Sequence, residues 1–177
     1  LVGTAVADAN GNYSVVTNAM SDGTYPLSVT QTDLGGNTSA PVSAGTWTID
    51  TTPPASPAIT SYSQDTGAQG DGVTSDNDLN ISGTAEPNST VNVYDNGTLI
   101  GTVTVDGLGN WFLNTTGTLS DGSHSFTTTA TDGAGNISQP STPLVITVDT
   151  LPPAAPTLVS VSQDNGASAT DKITNDT

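Results

Sequence analysis

The chain has 177 residues, with 17 acidic side chains against one lysine, no arginine, one histidine and no cysteine, for a formal net charge of −16. With Lys172 as the only base, binding to nucleic acid is excluded, because it requires Lys and Arg to displace counterions. The missing cysteines and the lone His124 exclude disulfides, thiol catalysis, Cys-based zinc and His-metal clusters, leaving carboxylate and amide oxygen, the ligands of calcium, as the abundant chemistry.

Only 33% of the residues are hydrophobic, and 32 Thr, 19 Ser, 19 Gly and 11 Pro fill the remainder. No apolar run approaches the roughly 20 residues of a spanning helix, so no direct membrane insertion is expected. Val, Ile, Leu and Thr come in short alternating runs, which point to β-structure.

In chain order, residues 1–50 read LVGTAVADANGNY, then SDGTYPLSVTQTDLGGNTSAP, then a strand phased on Trp47 and Ile49. All of this returns about 99 residues later: LIGTVTVDGLGNW from Leu99, SDGSHSFTTTATDGAGNISQP from Ser120, and VDTLPPAAP from Val148 in place of IDTTPPASP from Ile49. Such a repeat implies tandem units of one fold. Proline stiffens extended chain, so residues 51–57 and 150–156 read as linkers. Residues 58–149 are then one complete unit, 1–50 the C-terminal part of a preceding one, and 157–177 the N-terminal part of a third.

The complete unit predicts seven strands, at 59–63, 79–83, 90–94, 99–105, 110–114, 123–131 and 144–148. Asp95-Asn96-Gly97 is a hairpin signal between the third and fourth. Seven short antiparallel strands without helical periodicity indicate an all-β, two-sheet sandwich of immunoglobulin type, here without disulfides. Trp47 and Trp111 are expected in the core, Tyr62 and Tyr94 at sheet edges, and His124 at the surface.

Strand reversal places each loop at one end of the sandwich. The linker 51–57 should meet the turns 85–89, 106–110 and 132–138, bringing Asp50, Glu86, Asp106 and Asp132 together, with Asn136 adding a neutral oxygen. By repeat symmetry Asp149 takes the part of Asp50 at the next junction. Four converging carboxylates repel unless a dication or protons intervene, and calcium (Ca2+) suits loop-borne oxygens. The bland reading is that Asp and Asn before Gly are turn formers. Glu86, the only Glu, and Asp50, which closes a strand, fit that reading least. A second acidic cluster, Asp65, Asp71, Asp76 and Asp78, lies in a Gly-rich loop. It is either a second calcium site or a solvated loop, since it lacks EF-hand spacing.

The string GTAEPNSTVNVYDNGTLIGTVTVDGLGNW, followed by LSDGSHSFTTTATDGAGNIS and VDTLPPAAP, resembles the bacterial Ig-like repeats of giant RTX-type and biofilm-associated surface adhesins. That resemblance implies an extracellular, cell-surface spacer whose partners are adjacent repeats of the same array and whose junctions bind calcium. No acid–base–nucleophile arrangement suggests an enzyme. A ligand-binding Ig-like module, or an ancillary domain of a secreted hydrolase, are the alternatives. Near-equivalent copies favour the spacer, because a unique ligand site would differ between them.

Overall fold

The structure, a computed structural model, describes residues 2–115, 117 and 119–157. The third-unit segment expected at 157–177 therefore lies, beyond its first residue, outside the described residues.

Residues 58–149 form two packed sheets. The smaller has the order β3-β5-β8, from β3 (Ala58–Ser63), β5 (Asn80–Thr84) and β8 (Asn110–Asn114). The larger has the order β4-β10-β9-β6-β7, from β4 (Val73–Thr74), β6 (Thr90–Asp95), β7 (Thr98–Thr104), β9 (Gly122–Thr131) and β10 (Leu144–Val148). The seven expected strands are present, and β4 is an eighth. It pairs parallel with β10, whereas the remaining pairs are antiparallel. A two-residue strand has no side-chain alternation, so no sequence pattern announces it.

The period-2 pattern of each strand fixes which face turns inward. Leu79 and Ile81 with Trp111 on one sheet meet Val91, Val93, Phe126, Ala130 and Ile146 on the other, all fully or almost fully buried. The outward positions of β9 are Ser123, Ser125, Thr127, Thr129 and Thr131. Beta-branched polar residues suit such a solvated sheet face. Trp111 packs over Gly83, where an added Cβ would lie 1.9 Å from the Ala58 carbonyl and 2.6 Å from the indole.

Among the described residues, the first 50 positions carry only the antiparallel pair β1 (Gly23–Val29) and β2 (Val42–Ile49) as strands. Residues 2–16 repeat β7 and β8 in sequence but form no strand. Trp47, expected in the core, is 58% exposed. Its counterpart Ile146 is buried by the facing sheet, and among the described residues none stands against Trp47 in that way. Tyr62 lies on the edge strand β3 as expected, but Tyr94 lies on β6, which is flanked by β9 and β7. The hairpin signal at Asp95-Asn96-Gly97 marks where β6 ends, not where it sits in the sheet.

Replacing Gly83 by Ala must displace Trp111 or part β3 from β5. Overpacking of this kind costs about 1–3 kcal/mol. Denaturant unfolding followed by tryptophan fluorescence should show that loss; an unchanged midpoint would mean the sheets pack differently here.

Candidate functional site

The incoming linker and three loops gather at one end of the sandwich. The Asn136 side-chain amide donates to the Asp50 carbonyl at 3.0 Å, tying the 132–138 loop to the linker. Ala85 N–H donates to the Gly109 carbonyl at 3.0 Å, and Val105 N–H to that of Ser89 at 2.9 Å, so the 85–89 and 106–110 turns lie side by side. Within the linker, Pro54 and Pro57 are buried.

The carboxylates expected there are engaged differently. Asp106 and Asp132 each open an Asp-x-x-Gly-Asn turn, and so do Asp8 and Asp33. In all four, the Asn N–H donates to Asp Oδ1 at 2.8–2.9 Å. The Asn side-chain amide donates to Oδ2 at 2.8–3.4 Å. The glycine stands at φ between 83° and 95°, where a side chain would be strained. Each carboxyl is held below its ordinary range by these bonds. The Asn backbone N–H leads at Asp8 and Asp106, and the Asn side-chain amide at Asp33 and Asp132. The signal is the fourfold recurrence of the motif, which an inventory of isolated Asp residues does not register.

Asp50 and Asp149 close their strands and use Oδ1 to accept from Thr52 N–H and Leu151 N–H at 3.0 and 3.1 Å. The Glu86 side chain is exposed, and its backbone carbonyl accepts from the Ser89 hydroxyl at 2.7 Å. In the long loop, Asp65 accepts from Gly70 N–H, Asp71 from Val73 N–H, and Asp76 from both Gln64 and Asp78 N–H. Among the described residues, no three His, Asp or Glu side chains stand where they could share one metal ion.

A different pair of carboxylates holds the linkers. Asp22 accepts from Thr51 N–H at 3.0 Å, the Thr51 hydroxyl at 2.8 Å and the Thr52 hydroxyl at 2.8 Å. Asp121, its repeat counterpart, accepts from Thr150 N–H at 3.0 Å and the Thr150 hydroxyl at 2.8 Å. The Thr51 and Thr52 hydroxyls, in that order, are the chief groups that hold the Asp22 carboxyl below its ordinary range. Both residues sit in a Ser-Asp-Gly turn before the long hairpin strand, 29 residues ahead of the threonine they hold. The co-repetition of Ser-Asp-Gly with Asp-Thr is the sequence signal for this latch.

His124 is not a surface residue: its side chain is 8% exposed and its Nδ1 lies 2.6 Å from Asp95 Oδ2. Alternation on β9 turns it inward with Phe126, Thr128 and Ala130. Its Nε2 is 2.9 Å from the Ser120 carbonyl. The Asp–His pair thus presents no nitrogen to a nucleophile.

The turn carboxyls carry a pH dependence whose sign is fixed. Their folded values are lowered, so the stability they confer is fully present above the ordinary 3.8 and is lost as pH falls through the lowered values. Carboxyl-carbon NMR should find Asp106 and Asp132 titrating below 3.8. Asn136→Ala should raise the Asp132 midpoint alone, and an unmoved Asp132 would mean its turn is held otherwise.

No curated protein sequence matches the chain. Among solved structures, the BSP domain of a biofilm-associated protein is 28% identical with a TM-score of 0.40, covering 85% of this chain and 23% of that one. The chain thus spans about a quarter of that structure. Fibronectin(III)-like modules of Clostridium thermocellum CbhA are 18% identical with a TM-score of 0.43, covering 80% and 70%. A 1.5-MDa bacterial ice-binding adhesin is 24% identical with a TM-score of 0.38, covering 81% and 48%. The family profile described as "Bacterial Ig-like domain" matches residues 1–51 and again residues 53–150. With most of its length matched in two successive copies, the chain belongs to the bacterial Ig-like domain family.

Proposed function

We propose that the chain is a spacer segment of a bacterial surface adhesin, in which successive Ig-like units are held end to end and project a distal adhesive part from the cell. The observation that carries this reading is the repeated latch. Asp22 holds Thr51 and Asp121 holds Thr150 through the same two bonds of the same length. A module whose two copies spend equivalent residues on fixing the exit of the chain is built for transmitting direction. The buried Pro54 and Pro57 and the Asn136 bond to Asp50 support the same role at the entry.

Calcium at the junction is a second layer of this proposal. Both oxygens of Asp106 and Asp132 already accept from their own turns, so these two fit an ion only through their remaining lone pairs. Asp50, which accepts a single bond, and the exposed Glu86 are the better candidates. Six to eight oxygen ligands would require backbone carbonyls and water besides. The second cluster, Asp65 to Asp78, fits less well still, because Asp65, Asp71 and Asp76 each organise their own loop.

Small-angle scattering of the full chain should give an extended particle in chelator as well as in calcium, because the latch bonds need no ion. A compact particle would overturn the spacer reading. Calorimetric titration should detect calcium, and Asp50→Asn with Glu86→Gln should remove one bound ion. Unaltered stoichiometry in that variant would overturn the ion assignment while leaving the spacer reading intact.

A further inference from the structure

The His124 ring is enclosed by acceptors. Asp95, which closes β6, places Oδ2 2.6 Å from Nδ1, and the Ser120 carbonyl lies 2.9 Å from Nε2. A neutral imidazole has one N–H and a protonated one has two. Only the imidazolium can therefore donate to both partners. Among the described residues Asp95 Oδ1 is buried without a hydrogen-bond partner, so the carboxylate draws its counter-charge from that cation. Among the described residues, the other elements around the ring bring no charge to it. β10 sets Ile146 opposite, Phe126 stacks at 6.0 Å, and Asp121 in the preceding turn is occupied with Thr150.

The first copy makes the same contact with different chemistry. Tyr25 stands in register with His124, and its hydroxyl donates to the Ser21 carbonyl at 2.9 Å. In both copies the contacted serine opens the Ser-Asp-Gly turn, whose aspartate latches the linker. A phenol keeps its proton through the neutral range, whereas an imidazole does not. The second latch is also the slimmer one. Thr52, which gives Asp22 a third bond, is replaced by Leu151, so Asp121 holds its linker through Oδ1 alone.

We propose that His124 makes the second linker latch pH-sensitive. When protonated, the ring fixes the Ser120–Gly122 turn and keeps Asp121 against Thr150. When deprotonated, it must release either Asp95 or Ser120, and the exit of the chain loosens. The first latch, closed by Tyr25, stays shut over the same range, so the two junctions of one chain differ in their response to pH.

Burial by itself lowers the imidazole pKa, but the Ser120 carbonyl and then the Asp95 carboxylate outweigh it and leave the group above the ordinary 6.5. For a raised value, the stability is fully present below 6.5 and is lost as pH rises through the folded value. The latch therefore opens on the alkaline side of neutrality.

The sequence holds a single histidine, so its ring protons can be followed by NMR on the full chain without ambiguity, in chelator to remove any contribution from calcium. The expected result is a midpoint above 6.5, with the Thr150 amide and methyl resonances moving at the same midpoint and those of Thr51 stationary. His124→Tyr should abolish the Thr150 titration, and Asp95→Asn should lower the ring midpoint. A wild-type midpoint at or below 6.5, or a Thr150 signal that ignores it, overturns the proposal whether or not the variants fold. Because no ion and no second molecule enters the experiment, its outcome is separate from that of the spacer and calcium readings.

Discussion

The interaction on which the rest depends is the hydrogen bond from a nitrogen or hydroxyl donor to an aspartate. A chain with 17 acidic residues, one lysine and one histidine can neutralise few of its carboxylates by ion pairing. It surrounds them with N–H and O–H groups instead. Each Asp-x-x-Gly-Asn turn supplies a backbone and a side-chain donor from the same asparagine. Each linker aspartate receives an amide and a hydroxyl from one threonine. Hydrogen bonds to a charged group are worth more than neutral ones. They also favour the ionised form, so the charge stays and stabilises the turn that carries it.

The turns do structural work beyond local closure. The 106–110 turn joins β7 to β8 at the corner between the sheets, and the 132–136 turn brings Ile137 back against Thr131. The first copy repeats the second of these with Thr32 and Thr38. These local elements persist in residues 1–50, where the facing sheet does not. Burial behaves in the opposite way. Trp47 is exposed and Ile146 buried at matching positions, because burial belongs to a pair of sheets and never to one hairpin. Short-range polar bonds and long-range apolar packing are thus separable here, with residues 1–50 retaining the first and lacking the second.

Direction along the chain rests on bonds of the same chemistry, made here between residues 29 apart in sequence. A proline-containing linker fixes its own φ angles but not its departure from the sandwich. The aspartate of Ser-Asp-Gly supplies that second constraint, and Gly122, at φ 132°, allows the turn to present it. The residue two positions beyond the glycine, Tyr25 or His124, then braces the turn from below through the serine carbonyl. One layer of contacts therefore connects a core-facing side chain to the exit of the chain. Variation between copies at that side chain changes the chemistry of the brace while the geometry stays.

By itself the sequence determined the repeat, the all-β class and the seven principal strands, because alternation and Gly turns are local properties of a chain. It also determined which loops meet the incoming linker, since antiparallel strands must reverse. What the tertiary structure decided were the things that depend on partners distant in sequence. The turns of Asp106 and Asp132, whose asparagine donors lie four residues away, need no such partner. The fold placed Asp121 on a threonine 29 residues away, set the two-residue β4 beside β10, and turned His124 inward onto Asp95. Residue type gives a carboxylate's charge, but which donor reaches it first is a matter of distance. For the latches those distances are set when the hairpin strands pair.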